Sequence, residues 1–459
     1  MSAHPFRRAG RIPVLSGALK IAYQPITALR LDASNPRQHP ERQLKALARS
    51  IQTFGFNVPV LVDRQDRVIA GHARCLAAQR LGWTEVPTLM LEHLSEAQAS
   101  AYRIADNRLT EQSTWDELLL GAEFARLAAL DLDFSLEVTG FDIPAIDLLI
   151  EGATSGKTAE DAAADTLPVM SGPTVSRVGD LWQLGPHRVL CGNALIERYY
   201  RQLLGRQRAG VVFTDPPYNV PIAGHVSGLG RVQHADFAMA VGEMSPEDFT
   251  DFLRQVMRLL TSYSRAGSVH YLCMDWRHLL ELMSAAEGVY AEQLNLCVWA
   301  KDNGGMGSLY RSQHELIAVF KHGRGAHRNN VELGKHGRYR TNVWRYPGAN
   351  SFGGRQSDEG SLLALHPTVK PVALVADALL DVSARGDGVL DPFLGSGTTV
   401  MAAERVGRVC HGIELEPRYV DCIVQRWQRY TGERALCGKT GVSFDDVADM
   451  RGDDHVSAA

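Results

Sequence analysis

The sequence lacks any apolar run of the about eighteen residues that a bilayer span requires, so we expect no membrane partner. Its seven cysteines include no Cys-x-x-Cys pair and no zinc-ligand spacing, which argues against a disulfide framework and predicts no bound metal. The N-terminus has basic residues with no apolar segment behind them, so no secretion signal is indicated. We therefore expect a cytoplasmic protein with reduced, mostly buried thiols.

Charge is balanced over the whole chain, with a net value of −4, but it is uneven locally. Between Lys321 and Tyr346 seven basic residues oppose a single acid, Glu332, and aromatic and asparagine side chains are interleaved. Basic groups neutralise phosphates, while Asn, Arg and aromatic groups contact bases. A solvated basic loop is the alternative, but we favour double-stranded DNA as the partner. The candidate DNA contacts are Arg324, Arg328, Lys335, Arg338, Arg340 and Arg345.

The chain divides by composition into three main parts. Residues 19–112 alternate short strands with helices and predict a smaller α+β domain, followed by a helical extension over 113–150. Small and polar residues over 151–173 predict a linker. Residues 174–431 alternate strands and helices, which is typical of a parallel sheet with helices on both faces. We predict tails at 1–18 and 432–459, and strands at 210–214, 268–273, 294–299, 315–320, 388–391 and 409–413.

The tetrapeptide Asp215-Pro216-Pro217-Tyr218 directly follows an apolar run that predicts a strand. Proline fixes φ and removes an N–H donor, so the strand must stop there and the chain must turn. Ligands bind at the carboxyl ends of strands in open α/β sheets. The motif therefore predicts a polar site at that edge, although an ordinary strand-ending turn is the alternative reading.

A second motif, residues 388–399, predicts a buried strand, a tight glycine turn and a helix. Gly395 and Gly397 allow the backbone to approach a ligand closely. Glu414 ends the next predicted strand, the position from which a carboxylate accepts hydrogen bonds from ribose hydroxyls. The third glycine of a dinucleotide fingerprint is missing, which favours a single adenosyl group over NAD.

Together these motifs resemble the β-group amino DNA methyltransferases, the N6-adenine/N4-cytosine family. The order matches that group: catalytic motif, then target-recognition region (here about 321–365), then cofactor loop. The resemblance implies an α/β, Rossmann-like S-adenosylmethionine-dependent methyltransferase sheet over 174–431. It also implies methyl transfer from S-adenosyl-L-methionine to the exocyclic amine of a flipped base, with adenine N6 first and cytosine N4 as the alternative. A DNA-binding regulator with a vestigial methylase half is the rival hypothesis.

The resemblance assigns roles to individual residues. The catalytic set that it implies is Asp215, Pro216, Pro217 and Tyr218, with the Asp215 carboxylate and the Pro216 carbonyl as acceptors for the amine. His366-Pro-Thr-Val-Lys370-Pro371 is similar to the segment that contacts the methionine end of the cofactor, and Asn193 departs from the commoner Asp at its position. The implied cofactor contacts are Asp391, Phe393, Gly395, Ser396, Gly397, Thr398, Glu414, Lys370 and Asn193.

The N-terminal domain resembles the ParB and sulfiredoxin group, through Asn35-Pro36-Arg37 and Gly71-His72-Ala73-Arg74. In that group the Gly-x-x-Arg turn opens a helix and binds nucleotide phosphate, a role suited to the free N–H groups of a helix N-terminus. The implied nucleotide contacts are Gly71, His72, Arg74 and Asn107, with a purely structural use of the fold as the alternative. We find no helix-turn-helix unit after residue 112. The sequence also allows a homodimer.

Overall fold

The structure is a computed structural model that describes residues 19–31, 35–130, 132–153, 163–168, 170, 172–219, 243–302, 304, 309–331, 340–348 and 369–456. The chain forms two compact units, residues 1–155 and 156–459. Within the described residues no helix has both the length and the apolar character needed to cross a membrane. All seven cysteines are buried free thiols, as expected.

The N-terminal unit contains a four-stranded mixed sheet with the strand order β1-β4-β2-β3. β2 is parallel to β4, and the other two pairings are antiparallel. Its strands are β1 (Ile21–Pro25), β2 (Val60–Val62), β3 (Val68–Ala70) and β4 (Glu85–Met90). Its helices are α1 (Glu41–Phe54), α2 (His72–Arg80), α3 (Glu96–Glu111), α4 (Glu117–Ala128) and α5 (Ile143–Ala153), with 3-10 turns at Ile26–Ala28 and Leu136–Thr139.

Helices α4 and α5 approach each other closely because Gly121 has no side chain. A Cβ atom at Gly121 would lie 2.0 Å from the carbonyl oxygen of Leu149. Phe124, Ile146 and Ile150 form a small buried core between the two helices. The expected helical extension is therefore a packed helix pair with its own apolar core.

The C-terminal unit is built on a ten-stranded sheet with the order β11-β9-β10-β8-β7-β12-β13-β6-β5-β14. Its strands are β5 (Leu181–Leu184), β6 (His187–Cys191), β7 (Ala209–Thr214), β8 (Ser264–Met274), β9 (Glu292–Ala300), β10 (His314–Lys321), β11 (Val343–Arg345), β12 (Gly388–Asp391), β13 (Val409–Glu414) and β14 (Leu436–Cys437). All six predicted strands are present, and most extend a few residues beyond the predicted bounds. The five strands from β8 to β6 are parallel, whereas β10 runs antiparallel to both β8 and β9, so the sheet is mixed rather than wholly parallel.

Helices cover both faces of this sheet. Strand β7 is buried along its whole length, and its alternating side chains enter two separate cores. Val211 and Phe213 belong to one core, and Val212 to the other. The helices on the first face are α9 (Val372–Val382), α10 (Thr398–Arg405) and α11 (Pro417–Thr431). The helices on the second face are α6 (Glu197–Leu204), α7 (Pro246–Ser262) and α8 (Leu279–Ala286). A 3-10 turn at Trp276–His278 precedes α8.

The segment after Gly432 is not the unstructured tail that the sequence predicts. Strand β14 pairs with β5, and a further helix, α12, spans Phe444–Val456. The Phe444 ring lies edge-on to the buried Trp182 ring, with centroids 5.0 Å apart. The end of the predicted linker is ordered too, since the carbonyl of buried Ala164 accepts hydrogen bonds from Arg426. Weak periodicity hid these short elements, which are stabilised by burial against the sheet.

Candidate active site

Four neighbouring parallel strands, β7, β12, β13 and β6, end at the same edge of the sheet. Val211 pairs with Val389, Asp391 with Gly412, and Glu414 with Cys191. The segments that follow these strands therefore converge, although they are far apart in sequence. Asp215, Lys370, Asp391, Phe393, Gly395, Ser396 and Thr398 line one pocket at this edge.

Asp391 anchors the floor of this pocket. Its Oδ1 accepts hydrogen bonds from Thr214 Oγ1 at 2.8 Å and from the Phe393 amide at 3.0 Å, and its Oδ2 accepts one from Thr399 Oγ1 at 2.6 Å. Burial raises the pKa of Asp391 to about 6, opposed by these donors. The carboxylate thus joins strand β7, the glycine turn and helix α10 into one rigid base.

The glycine turn depends on backbone conformations that side chains disfavour. Gly395 has φ +52° and Gly397 has φ +86°. A Cβ atom at Gly397 would lie 2.8 Å from Ile423 Cγ1, so the turn lies directly on α11. Only glycine fits both requirements at Gly397, as the motif predicts.

Glu414 lies beside this turn with both carboxylate oxygens partly used. Oε2 accepts the Gly395 amide at 2.7 Å, and Oε1 accepts the Glu416 amide at 2.9 Å. Burial raises the pKa of Glu414 to about 7, although these two donors oppose the shift. Each oxygen keeps acceptor capacity for a further donor, which suits a pair of neighbouring hydroxyl groups.

Asn193 follows β6, the strand next to the one that ends at Glu414. The Gly192 amide donates to the Glu414 carbonyl at 2.8 Å, which fixes the two strand ends together. Asn193 Oδ1 accepts the Leu195 amide at 2.8 Å, so its side chain shapes the turn that leads into α6.

Asp215 and Lys370 line this pocket as well, and Tyr218 contacts both of them. The Tyr218 hydroxyl donates to Asp215 Oδ1 at 2.5 Å, and Lys370 Nζ donates to Asp215 Oδ2. Lys370 Nζ also lies 3.1 Å from the Tyr218 hydroxyl. Burial raises the pKa of Asp215, against the influence of Lys370. Two of the four predicted catalytic residues, Asp215 and Tyr218, therefore contact a lysine that the sequence placed only at the cofactor.

Sequence reasoning missed Glu315 and Lys301, which complete this cluster. Glu315 is the second residue of β10, and its side chain is only 7% exposed. Its Oε1 contacts Lys301 Nζ at 2.5 Å, and its Oε2 contacts Lys370 Nζ at 3.1 Å. Burial alone would raise the pKa of Glu315, but the ammonium groups of Lys370 and Lys301 hold it at about 2. A charged residue at the start of an otherwise apolar strand was the available signal.

Asn219, the residue after the catalytic motif, was also missed. It has φ +53°, a left-handed conformation that asparagine tolerates better than most residues. Its Nδ2 donates to the Met244 carbonyl at 2.9 Å, and its Oδ1 accepts the Met244 amide at 3.2 Å. This pair of bonds joins the end of the motif to the start of α7.

The structure places two of the predicted DNA contacts, Arg324 and Arg328, away from the candidate active site. Because β10 is antiparallel to β8, its first residues lie at the active-site edge and its last residue, Lys321, lies at the opposite edge. Arg324 and Arg328 follow Lys321, and the neighbouring His322 bonds to Gly267 near the start of β8. Both arginines are exposed, but they lie at the edge opposite Asp215.

A third predicted DNA contact, Arg340, uses its guanidinium within the protein. It forms ion pairs with Asp381 at 3.0 Å and Asp377 at 3.2 Å, and it lies 5.0 Å from the centroid of the Trp344 ring. Arg345, by contrast, is exposed and pairs with Ala300 at the active-site edge. Lys335 and Arg338 lie outside the described residues, as do 349–365 of the predicted recognition region.

The predicted nucleotide residues of the N-terminal unit are partly brought together. Gly71 precedes α2 with φ +105°, and Arg74 Nη2 donates to the Pro59 carbonyl at 3.3 Å. Burial lowers the pKa of Arg74, opposed by the nearby Asp106 carboxylate on α3. His72 is buried, and Asn107 donates to the Arg103 carbonyl within α3. The turn and the α3 motif therefore face one another.

Three family models match the chain. A DNA methylase model of the N6/N4 type matches residues 209–425, a ParB N-terminal domain model matches 16–108, and a ParB-methyltransferase HTH domain model matches 118–178. The match to the ParB-methyltransferase HTH domain model overturns the expectation that no helix-turn-helix follows residue 112. The signal was hidden because α4 and α5 are joined by a long segment containing a 3-10 turn, rather than by a short glycine turn.

Relatives match each half of the chain. The ParB-like nuclease domain-containing protein YnaK of Escherichia coli K12 is 40% identical over 84 residues, which is 18% of this chain and 97% of that protein. The type II methyltransferase M2.DpnII of Streptococcus pneumoniae is 28% identical over 218 residues, 46% of this chain and 79% of that protein. Among solved structures, the cytosine-N4-specific PvuII DNA methyltransferase is 14% identical with a TM-score of 0.39, and the match covers 57% of this chain and 89% of that one.

Proposed function

Because the chain belongs to the N6/N4 DNA methylases, carrying a ParB N-terminal domain and a ParB-methyltransferase HTH domain, we propose that it methylates the exocyclic amine of a base in duplex DNA. Adenine N6 is the first choice of target. The observation that carries the proposal is the placement of Asp215 and the 393–396 turn on one pocket. An acceptor for the target amine thus faces the loop that suits an adenosyl cofactor.

The residues at the glycine turn fit S-adenosyl-L-methionine as the cofactor. Glu414 has acceptor capacity for the two ribose hydroxyls, and Gly395 and Gly397, both with positive φ, present no side chain at their positions. Phe393, Ser396, Thr398 and Lys370 line the pocket beside this turn. We assign Asn193 to the cofactor as well, while Asp391 acts by holding the turn. When bound, the cofactor supplies a methyl group already activated by a positive sulfur. No metal is required for that transfer.

Asp215 and the Pro216 carbonyl prepare the nucleophile. The lone pair of an exocyclic amine is conjugated with the base ring, so two acceptors that hold its hydrogens help to bring that lone pair out of the plane. The bound cofactor would supply the methyl group to this nitrogen, and the Asp215 carboxylate would accept the N–H proton that the amine loses. The raised pKa of buried Asp215 suits it to accept that proton. Tyr218 offers a ring face for the flipped base, and Pro217 helps to fix the turn.

Cytosine N4 is the alternative target, since both amines require the same acceptors. Our test supplies the full-length protein with labelled cofactor and unmethylated duplex DNA, and identifies the modified nucleosides by mass spectrometry. We expect N6-methyladenine, and an Asp215→Ala variant as the matched control should give none. N4-methylcytosine alone would replace the first choice. A wild-type protein that binds cofactor yet modifies no base would favour the vestigial regulator.

The N-terminal unit is the second binding site in this proposal. Gly71, His72 and Arg74 at the start of α2, with Asn107 on α3, form a candidate site for nucleotide phosphate, because the α2 N-terminus presents free N–H groups. Calorimetric titration of the full-length protein with each nucleoside triphosphate tests this. Binding that is lost in Arg74→Ala supports the site, and the absence of binding by the wild type leaves the fold with a structural role.

A further inference from the structure

Each carboxylate oxygen of Asp215 accepts one hydrogen bond in the structure. Oδ1 accepts the Tyr218 hydroxyl and Oδ2 accepts Lys370 Nζ. Burial raises the pKa of Tyr218, so this hydroxyl keeps its proton and acts as a donor. An amine hydrogen that approaches Asp215 must therefore share the carboxylate with a phenol and an ammonium group. Lys370 also opposes the rise that burial causes in the pKa of Asp215, so Asp215 becomes a better acceptor for the amine proton when these donors move to another acceptor.

Glu315 offers that acceptor to both donors at once. Its Oε2 lies 3.1 Å from Lys370 Nζ and 3.2 Å from the Tyr218 hydroxyl oxygen. The Glu315 side chain is 7% exposed and that of Lys370 is 4% exposed, so water is a poor substitute for either partner. A buried ammonium group left without a counter-ion is strongly unfavourable. Lys370 can leave Asp215 only because Glu315 is within reach.

Resting on the proposed function, we propose that Glu315 is a positioning residue that takes over Lys370 and the Tyr218 hydroxyl when the target amine reaches Asp215. The two carboxylates Asp215 and Glu315 are balanced by Lys370 and Lys301, so the buried cluster is neutral before and after the exchange. Lys301 contacts the other oxygen of Glu315 and fixes its orientation. The exchange frees Asp215 without moving a charge into water.

Removing the Glu315 charge should have a specific effect on the rate. In Glu315→Gln, Asp215 is the remaining anion for two lysines, and Lys370 is held on it more firmly. Burial opposes the rise, but the neighbouring carboxylates raise the pKa of Lys370, so Lys370 stays charged and stays on Asp215. The methyl-transfer rate of this variant should therefore fall while its affinities for cofactor and DNA stay close to those of the wild type. A merely structural role for Glu315 would weaken cofactor binding together with the rate.

The experiment measures single-turnover methyl transfer to duplex DNA at saturating cofactor and DNA, together with the dissociation constants of both, for the full-length protein. We expect Glu315→Gln to lose about a hundredfold in rate and to keep its affinities for cofactor and DNA. Glu315→Asp should recover part of the rate, because it restores the charge at a greater distance. Glu292→Gln is the matched control. Glu292 is an exposed glutamate that forms a 2.6 Å ion pair with Lys321 where β9 and β10 pair, at the end of β10 opposite Glu315. The Glu292→Gln variant should transfer methyl groups at the wild-type rate.

The outcomes separate the two proposals. An inactive wild type with bound cofactor contradicts the proposed function. An active wild type whose Glu315→Gln variant keeps its rate, or loses rate and cofactor affinity together, contradicts the role of Glu315. If Glu315→Gln does not fold, the same comparison is made with Glu315→Asp, for which a partial loss of rate at unchanged cofactor affinity supports the exchange and a parallel loss of rate and affinity contradicts it.

Discussion

Thr214 Oγ1 donates a 2.8 Å hydrogen bond to Asp391 Oδ1, and this bond joins β7 to β12 directly below the candidate active site. Both side chains are buried, with exposures of 0% and 3%. The residue before the catalytic motif therefore holds the first residue of the cofactor loop. The relationship explains how two motifs 176 positions apart (391 minus 215) keep a fixed mutual geometry.

Thr214→Val removes this donor while it keeps the shape of the side chain. We predict a loss of about 1–3 kcal/mol in the free energy of unfolding, because a buried carboxylate loses one of its partners. Denaturant unfolding of the wild type and the variant measures this loss. Thr250→Val on α7, where the hydroxyl bonds only to the Pro246 carbonyl, should change the stability by less than about 0.5 kcal/mol. Equal effects of the two substitutions would contradict the anchoring role.

Gly397→Ala should damage both stability and cofactor binding. The alanine would have to keep φ +86°, and its Cβ atom would lie 2.8 Å from Ile423 Cγ1, so the turn must shift. Gly432→Ala is a matched control, because Gly432 has φ +76° but no heavy atom within 4 Å of the added Cβ. We expect about 1–2 kcal/mol of destabilisation from the φ strain in the control and more in Gly397→Ala. Calorimetry should show weaker cofactor binding in Gly397→Ala alone; unchanged binding would contradict the assignment of the turn.

Glu414 should make cofactor affinity depend on pH. With a pKa of about 7 in the free protein, Glu414 must lose a proton before it accepts the ribose hydroxyls. Affinity should therefore fall about tenfold for each unit of pH below about 7 and be level above it. Titration calorimetry in buffers of different ionisation enthalpy measures the released proton. Glu414→Gln should bind more weakly and lose most of this dependence, with the remainder from Asp391, whose pKa is about 6. The same steep dependence in Glu414→Gln would contradict the assignment.

The same pKa determines the direction of a stability change in the free protein. The folded-state pKa of Glu414 lies above its ordinary value of 4.5. The unfolded chain therefore releases its proton first as pH rises. The contribution of Glu414 to the free energy of unfolding is complete below about pH 4.5 and is lost progressively up to about pH 7.

Substitution of Arg345 and of Arg324 tests which edge of the sheet contacts DNA. Arg345 is exposed at the edge that carries Asp215, and Arg324 is exposed at the opposite edge. We predict that Arg345→Ala weakens duplex binding and reduces the slope of log affinity against log salt by about 1. Arg324→Ala should leave both quantities unchanged. Fluorescence anisotropy over a salt series measures them, and a larger effect from Arg324→Ala would reverse the assignment.

Local motifs made much of the fold and site predictable. Asp215, Gly395 and Gly397 each follow a strand within a few residues and Glu414 ends one, so the rule that ligands bind at strand carboxyl ends places them together. Strand positions followed from short apolar runs bounded by turn residues. What these signals share is that they lie within a single strand–turn–helix unit.

The missing parts depend on long-range pairing. Glu315 reaches Asp215 only because β10 runs antiparallel to β8, and its sequence does not reveal that direction. The same reversal carries Arg324 away from the site, where the charge pattern alone grouped it with Arg345. The partners of Arg340 on α9 likewise follow from tertiary packing.

The most direct test of the account is the single-turnover rate of Asp215→Asn at saturating cofactor and DNA. This substitution keeps the size of the side chain and removes the charge that accepts the amine hydrogen and its proton. We predict a fall of at least about a thousandfold in methyl transfer, with the dissociation constants of cofactor and DNA changed by less than about threefold. A variant that transfers methyl groups within about tenfold of the wild-type rate would contradict the central role of Asp215.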